Sequence, residues 1–126
     1  MTKSKIGLDW NLQRVNISPR HKKVVQMAEV PPMAMKFLRQ RVSLRHLRLI
    51  LALDEERSIT RTADRLCISQ AAVSKTRSEI EKGIGTPLFE WHGHRLEVTE
   101  VGQCVLQSAR RIVAELECLS EEFALM

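Results

Sequence analysis

Hydrophobic residues recur at helical spacing from residue 42 onward, and this pattern predicts three consecutive helices. The predicted helices cover about residues 44–56, 59–66 and 70–82. A serine precedes each of them at the N-cap position, and two glycines and a proline follow the third. The caps are Ser43, Ser58 and Ser69, and the apolar positions are Leu44, Leu47, Ile50, Leu51, Leu53, Ile59, Ala63, Leu66, Ala72, Val73 and Ile80.

After the third helix, apolar and polar residues alternate, and this alternation predicts a two-stranded hairpin. The strands are expected at residues 88–91 and 95–98, on either side of a turn formed by His92, Gly93 and His94. The inward side chains of these strands are predicted to be Phe89, Trp91, Leu96 and Val98.

A long last helix is predicted from the N-cap Thr99 to the C-terminus. Its apolar positions are separated alternately by four and three residues, which is the spacing of a coiled-coil seam. The seam extends beyond what one small domain can cover, so the pattern favours a subunit interface over an intramolecular core. The seam residues are Val105, Ala109, Ile112, Leu116, Leu119 and Phe123.

The first forty residues show no sustained period of either kind, and several prolines interrupt them. We expect residues 1–41 to form a largely flexible basic arm, with a short helix near Met33 to Arg41. Three interpretations stay open for the arm. It contacts DNA phosphates, it keeps the chain soluble, or it results from a start codon assigned upstream of a true start at Met35.

Charge is distributed unevenly along the chain, whose formal net charge is +5. Residues 1–41 carry a net charge of +7, and residues 42–126 carry −2. Within the second part, residues 57–77 have a local excess of +4. A localised positive segment in an acidic body is typical of a phosphate-facing surface, although a solvated helix face is an alternative explanation. The charges of this segment belong to Arg57, Arg61, Arg65, Lys75 and Arg77, against Asp64.

Length and composition exclude several other classes of protein. With 126 residues, of which 44% are hydrophobic and 28% charged, the chain is expected to form one small domain with an arm. It has no apolar run long enough to span a membrane and no secretory signal. Three cysteines without CxxC spacing favour a reducing cytoplasm, and we expect them to be small buried hydrophobes. They are Cys67, Cys104 and Cys118.

The sequence also offers no candidate centre for catalysis. The two histidines of the hairpin turn lack further ligands for a metal ion. No nucleophile with a matching base and no glycine-rich phosphate loop is present. We therefore expect no enzymatic activity, no metal and no cofactor.

Helices two and three are joined by a tight turn, and together they fit the geometry of a helix-turn-helix. Ala63 supplies the small side chain at the helix crossing, Leu66 and Ile68 are expected to fill the corner, and Val73 anchors the third helix. The opposite face of that helix carries short or polar side chains and one cation. These residues are Gln70, Ala71, Ser74, Lys75 and Ser78.

This face is suited to the major groove of DNA, which admits a helix whose leading residues meet base edges. Gln70 can pair with adenine, and Ala71 can contact a thymine methyl group. Lys75 can reach guanine or a phosphate. Thr60 and Arg61, at the start of the second helix, are expected to hold the DNA backbone.

The stretch from Leu44 to about Leu116 resembles the N-terminal DNA-binding domain of LysR-type transcriptional regulators. The resemblance rests on the order and spacing of four runs: residues 58–66, residues 68–75, the hairpin entry at 85–90, and residues 96–102. It is specific because the hairpin and the long helix follow the helix-turn-helix in register. It implies a mainly α winged helix-turn-helix, with a three-helix core, a two-stranded β-wing and a long linker or dimerisation helix.

The resemblance also implies residue roles by matching position. The third helix would enter the major groove, the wing would lie on the adjacent minor groove or backbone, and the seam of the last helix would pair two subunits. Double-stranded DNA and a second copy of the chain are thus the expected partners. The matched DNA-contact positions are Thr60, Arg61, Ser69, Gln70, Ala71, Ser74, Lys75, Arg77 and Ser78, with His92, His94 and Arg95 in the wing.

The sequence departs from the family pattern at several positions. Ala71 stands where the family usually has proline, and Trp91 stands where it commonly has arginine. Arg77 replaces an apolar residue, so that either its guanidinium reaches a phosphate or it weakens the packing. Family members carry a larger C-terminal domain that binds a co-inducer, and we expect no small-molecule effector site in this chain.

Two functional interpretations follow from these observations. The first is a sequence-specific DNA-binding transcription regulator that binds a partly palindromic operator as a dimer. The second is a winged-helix protein-interaction module that forms mixed dimers with a full-length regulator. Both share one predicted organisation, with an arm at residues 1–41, a DNA-binding domain at 42–98 and a dimerisation helix at 99–126.

Overall fold

The computed structural model describes residues 32–126, which form helices around one short hairpin. A first helix, α1, continues as a π-helical turn, and we call the two together the N-terminal helical segment. The elements are α1 (Pro32–Lys36), the π-helical turn (Phe37–Arg41), α2 (Leu44–Glu56), α3 (Ile59–Leu66), α4 (Gln70–Ile84), β1 (Phe89–His92), β2 (Arg95–Val98) and α5 (Glu100–Leu125).

Side-chain caps fix where the helices begin, as the sequence predicts. Ser58, Ser69 and Thr99 each accept a hydrogen bond from the backbone N–H three residues later. Ser43 does the same for α2, and the imidazole of His46 accepts from the Ser43 backbone in return, which completes a capping box. Helix α4 runs slightly further than predicted, because Gly85 at φ 90° supplies the left-handed residue that ends it.

The core lies between α2, α3 and α4, and the wing and α5 close it. Strands β1 and β2 pair antiparallel, with Phe89 opposite Val98 and His92 opposite Arg95. The predicted winged helix-turn-helix fold with a long last helix is therefore confirmed. The largest fully buried side chains are Phe89, Leu49, Ile50, Leu53, Ile80, Leu88, Val73 and Thr62.

The N-terminal helical segment packs on α4, which differs from the predicted arm. Ala34 is fully buried, and Phe37 is 6% exposed and belongs to the main hydrophobic cluster. The ring of Phe37 lies over Gly83, where a Cβ atom would come within 2.2 Å of ring atom Cδ1. Residues 32–41 therefore belong to the folded domain because an aromatic side chain fills a notch that only glycine leaves open. Residues 1–31 of the predicted arm lie outside the described residues.

Helix α5 is attached to the wing at its first turn. The Thr99 hydroxyl donates to Pro87 O at 2.8 Å and accepts from Gly102 N at 3.0 Å. Gly102 lies so close to Leu88 that a Cβ atom would come within 2.2 Å of the Leu88 carbonyl oxygen. From this anchor α5 contributes Leu106 and Ala109 to the core, so the predicted domain boundary at residue 98 runs through one continuous core.

Three expectations about burial are wrong. Ile68 is 39% exposed and Trp91 is 53% exposed, so Ile68 does not fill the corner of the turn and burial does not alternate along β1. Cys67 and Cys118 are exposed as well. Cys67 adopts φ 57° as the left-handed residue that ends α3, and this turn directs its side chain to solvent. Cys104 is half-buried, and desolvation raises the pKa of its thiol, partly opposed by Arg111.

None of the helices formed by residues 32–126 combines the length and the apolar character that crossing a membrane requires.

Candidate nucleic-acid interface

The recognition-type helix α4 has one buried side and one polar side. Val73, Ile80 and Ile84 are buried against the domain. Gln70, Ala71, Ser74 and Lys75 are exposed on the other side, and Ser78 is partly buried beside them. The structure thus brings together the five positions that the sequence predicts for base contact. Ser69 differs from them, because its hydroxyl already accepts from Ala72 N at 3.0 Å and caps the helix.

The start of α3 lies beside this polar face and presents two further predicted residues. Thr60 and Arg61 are both exposed, and the N–H of Arg61 donates to Ser58 Oγ at 3.2 Å. Thr62 is fully buried instead, and its hydroxyl donates to Ser58 O at 2.7 Å. The first turn of α3 therefore orients Thr60 and Arg61 outward because its cap and its buried threonine fix the backbone.

Ion pairs neutralise most of the local positive charge predicted at residues 57–77. Arg65 pairs with Glu55 and Glu56, and these carboxylates raise the pKa of its guanidinium. Arg57 donates to the Asp54 carboxylate at 2.9 Å and to Leu96 O at 3.2 Å. Within residues 32–126, Arg61 and Lys75 are the cations of this segment that form no ion pair.

Asp54 connects three elements around the end of α2. One oxygen of its carboxylate accepts from Arg57, and the other accepts from Arg110 of α5 at 2.9 Å. Because Arg57 also binds the backbone of β2, this carboxylate links α2, the wing and α5. The acidic run at residues 54–56 thus serves the interior bonding of the domain, with Glu55 and Glu56 holding Arg65.

Arg77 lies between α4 and the wing, away from the polar face. Its Nη2 donates to Phe89 O at 2.8 Å, and its Nε lies 3.2 Å from Glu81 Oε1. The Nε group is buried without a hydrogen-bond acceptor, so its contact with Glu81 is an ion pair only. Glu81 in turn accepts from the backbone N–H groups of Leu88 and Phe89 at 2.6 and 3.2 Å. We call Arg77 and Glu81 the wing clamp.

The wing clamp replaces both roles expected for Arg77. The guanidinium neither reaches outward to a phosphate nor weakens the packing, because it satisfies the backbone at the start of β1. The spacing of four residues between Arg77 and Glu81 is a sequence signal for an ion pair on a helix. Nothing in the sequence indicates the contact with Phe89, because the wing returns to α4 only in the folded chain.

The outer face of the wing carries charges of both signs. His92, His94 and Arg95 are exposed, as a contact surface requires. Glu90 and Glu97 stand directly opposite each other, and Nε2 of His92 lies 3.8 Å from each carboxylate. Among residues 32–126 no group of three or more histidine, cysteine or acidic side chains is arranged to hold a metal ion.

The predicted seam of α5 divides into a buried part and an exposed part. Ala109 is fully buried in the core of its own subunit, and Val105 packs partly against that core. The expected interface role of Ala109 is therefore wrong, because Leu106 and Ala109 attach the first half of α5 to the domain. Further along, Leu116 is half-buried and three large apolar side chains face solvent: Ile112 at 47%, Leu119 at 44% and Phe123 at 65% exposure.

A short helix, a tight turn and a second helix with one exposed polar face, followed by a two-stranded wing, define the class of winged helix-turn-helix proteins. Residues 44–103 match the family model described as bacterial regulatory helix-turn-helix protein, lysR family. This range comprises α2, α3, α4, the wing and the first turn of α5, and it begins after the N-terminal helical segment.

Curated relatives and solved structures agree with this match. The HTH-type transcriptional regulator GbpR of Azospirillum brasilense is 42% identical over 86 residues, which cover 68% of this chain and 25% of that protein. BudR of Klebsiella aerogenes is 38% identical over 58% of this chain and 51% of that protein. A crystal structure of the BenM DNA-binding domain with catB site 1 DNA superposes with a TM-score of 0.63, at 30% identity, over 66% of this chain and 92% of that one.

The chain belongs to the LysR family of bacterial helix-turn-helix regulatory proteins. It spans about a quarter of the length of GbpR and about half the length of BudR. These relatives are transcriptional regulators by name.

Proposed function

We propose that the protein is a sequence-specific transcription regulator that binds double-stranded DNA as a homodimer, with α4 of each subunit in the major groove of a partly palindromic operator. The single observation that carries the proposal is the polar face of α4. Its leading residues are exposed directly opposite a fully buried stripe. A helix with this division of faces can enter a groove without disturbing the core behind it.

Base reading falls to the exposed residues at the start of α4. The amide of Gln70 can pair with adenine, the methyl group of Ala71 can contact a thymine methyl, and Lys75 can bind guanine or a phosphate. Ser74 and Ser78 have short side chains that let the helix approach the bases closely. Ser69 contributes indirectly, because its cap fixes the first turn that carries Gln70.

Phosphate contacts would come from both sides of that helix. Thr60 and Arg61 are exposed at the start of α3, and His92, His94 and Arg95 are exposed on the wing. The wing clamp holds β1 against α4, so the two DNA-contacting elements form one rigid unit. In this scheme Arg77 positions the wing and makes no DNA contact itself.

The second half of α5 would form the dimer. Its exposed apolar residues follow a spacing of seven and four residues, from Ile112 to Leu119 to Phe123. Such a stripe loses water when it packs against its counterpart in a second subunit. Two copies of α4 would then face two half-sites, and the operator would repeat the twofold symmetry of the protein.

Selection of bound fragments from bacterial genomic DNA at near-physiological salt tests the proposal. We expect enrichment of an interrupted palindrome, and Lys75→Glu should weaken binding to it by more than about 1 kcal/mol. The matched control is Arg111→Glu, which makes the same charge change at an exposed position of α5. Uniform weak recovery that disappears as salt rises would contradict sequence-specific binding.

The dimer is tested by sedimentation equilibrium. Leu116→Glu should give a monomer, since a charge would be placed in the apolar stripe. Ala114→Glu adds the same charge at an exposed position outside the stripe and should leave the dimer intact. A wild-type protein that is already monomeric at high concentration would contradict this part of the proposal.

A second candidate function is a protein-interaction module that forms mixed dimers with a full-length regulator. The exposed apolar stripe of α5 favours it, because the same stripe would accept a related helix. The two candidates differ in their dependence on α4. Lys75→Glu should abolish regulation by a DNA-binding dimer, whereas a module that acts only through α5 should be unaffected.

A further inference from the structure

A second basic surface lies outside the helix-turn-helix. Residues 30–53 contain no acidic residue but include five cations. In the described part of the chain, Arg48 pairs with Glu117 at 3.6 Å, and the other four cations form no ion pair. These four are exposed and comprise Lys36, Arg39, Arg41 and Arg45.

The N-terminal helical segment holds this charge in a fixed place. Phe37 is buried against Gly83 of α4, and its ring centroid lies 5.7 Å from that of His46 in α2. Ala34, one turn earlier, is fully buried. The cations of the segment are therefore attached to the folded domain by packed side chains on either side of them in sequence.

The surface continues the polar face of α4. A cleft of about 520 Å³ lies between the segment and α4, and Arg41 and Lys82 both line it. Lys82 follows Ser78 by four residues and Lys75 by seven, so all three share one side of the helix. Seven residues of helix correspond to about 10 Å along the axis. The unpaired cations thus begin one to two turns beyond the residues proposed to read bases.

We propose that Lys36, Arg39, Arg41 and Lys82, here called the basic shoulder, bind phosphates of the DNA that flanks the operator. This inference rests on the proposed function, because it extends the same DNA surface. The ligand is the phosphodiester backbone, which is recognised by charge and without regard to sequence. Three of the four residues precede or lie beside α2 in a segment that the family model does not include.

Charge and position favour DNA over an acidic protein surface as the partner. The one carboxylate that lines the cleft belongs to Glu79, and it lies 3.8 Å from Nε2 of His46. A helix in the major groove has a sugar-phosphate strand on each side, and the groove is about 12 Å wide. Cations beside the second half of α4 would therefore approach one of those strands as it leaves the half-site.

Two DNA duplexes separate the shoulder from the base-reading face. One carries only the selected operator, and the other extends it by about ten base pairs on each side, roughly one helical turn. We expect wild-type protein to bind the longer duplex more tightly and with a steeper dependence on salt. The variant Lys36→Gln/Arg39→Gln/Arg41→Gln should lose this difference and keep the affinity for the short duplex. Each lost phosphate contact reduces the slope of log K against log salt by about 0.9.

Controls distinguish charge from folding. Arg110 and Arg48 are paired, so the charge control is Arg95→Gln/Arg111→Gln at exposed positions of the wing and α5, which should keep the gain from the flanks. Circular dichroism and thermal unfolding of the triple variant should match wild type, because all three side chains are exposed.

Either of two results would overturn the shoulder. In one, wild type binds both duplexes with equal affinity and equal salt slope. In the other, the triple variant keeps the full gain from the flanks, and the cations then serve another partner such as an acidic protein. Failure of the proposed function would look different, since wild type would not select the short duplex. The slopes on random DNA then decide the matter, and equal slopes for wild type and the triple variant reject the shoulder.

Discussion

Two basic regions of this molecule carry similar charge in sequence and differ in the folded chain. Residues 57–77 contain five cations, but Arg57, Arg65 and Arg77 are held by acids of α2 and α4. Residues 36–45 contain four cations, and no acid of the described residues pairs with them. The region that appears more functional by its helix-turn-helix position has fewer unpaired cations.

The difference teaches that pairing decides where a positive field reaches solvent. A cation that is bound by a carboxylate of its own chain contributes little potential beyond a Debye length of about 8 Å at physiological salt. The arginines of residues 57–77 therefore build the domain, and Lys75 and Arg61 remain available to DNA. In the N-terminal region all the cations stay available, because the acidic residues of the chain begin again only at Asp54.

The largest expected effect comes from breaking the attachment of the N-terminal region. Phe37→Ala removes a buried ring from the notch over Gly83 and should lower the free energy of unfolding by about 3 kcal/mol. Urea denaturation followed by circular dichroism measures this loss. Leu38→Ala is the matched control, because Leu38 is 47% exposed and its truncation should change stability by less than about 0.5 kcal/mol. Equal effects of the two variants would show that the segment is not docked as described.

Breaking the wing clamp should have the next largest effect. Arg77→Ala leaves Phe89 O and the Glu81 carboxylate without their partner in a partly buried site, and we expect a loss of about 2 kcal/mol in the free energy of unfolding. Arg61→Ala, at an exposed and unpaired position, should cost less than about 0.5 kcal/mol. Thermal unfolding at two or more protein concentrations checks both values. If Arg77→Ala is as stable as wild type, the clamp is not a structural bond.

Replacing an unpaired cation should alter DNA binding more than stability. Lys75→Gln should reduce the slope of log K against log salt by about 0.9, because one phosphate or base contact is lost per subunit. The measurement is fluorescence anisotropy with the selected operator between low and moderate salt. An unchanged slope and affinity would place the DNA site away from this face of α4.

The smallest effect is expected from a paired cation of the same region. Arg65 is bound by Glu55 and Glu56, so Arg65→Gln should leave the salt slope of DNA binding unchanged within error. Measured beside Lys75→Gln, it compares two cations ten residues apart that differ in pairing. A drop in slope equal to that of Lys75→Gln would mean that the ion pairs open when DNA binds.

Local signals predicted most of the fold. Serine and threonine caps, apolar spacing and the glycines after α4 fixed the limits of α2 and α3 to the residue, and those of α4 to within two. The wing followed from alternation, although Trp91 remains exposed because it lies near the open end of the hairpin, opposite Leu96. These features depend on neighbours in sequence, which is why a single sequence reveals them.

The candidate site was predictable in its exposed part only. The polar face of α4 follows from helical periodicity once Val73 is placed inside. The wing clamp, the Asp54 connections and the burial of Phe37 depend on contacts between residues far apart in the chain. Periodicity of one helix also cannot tell which part of an apolar seam its own domain covers, and Ala109 was misassigned for that reason.

The firm attachment of α5 at Gly102 gives the helix the properties of a lever. The helix has 26 residues, about 39 Å at the usual rise, and its first three turns are fixed to the wing and core. In the proposed dimer, a small change of angle where the levers cross near Leu119 and Phe123 would be magnified at the opposite ends. Hinge-like tuning of that crossing would set the spacing between the two reading helices without altering a single residue that touches DNA.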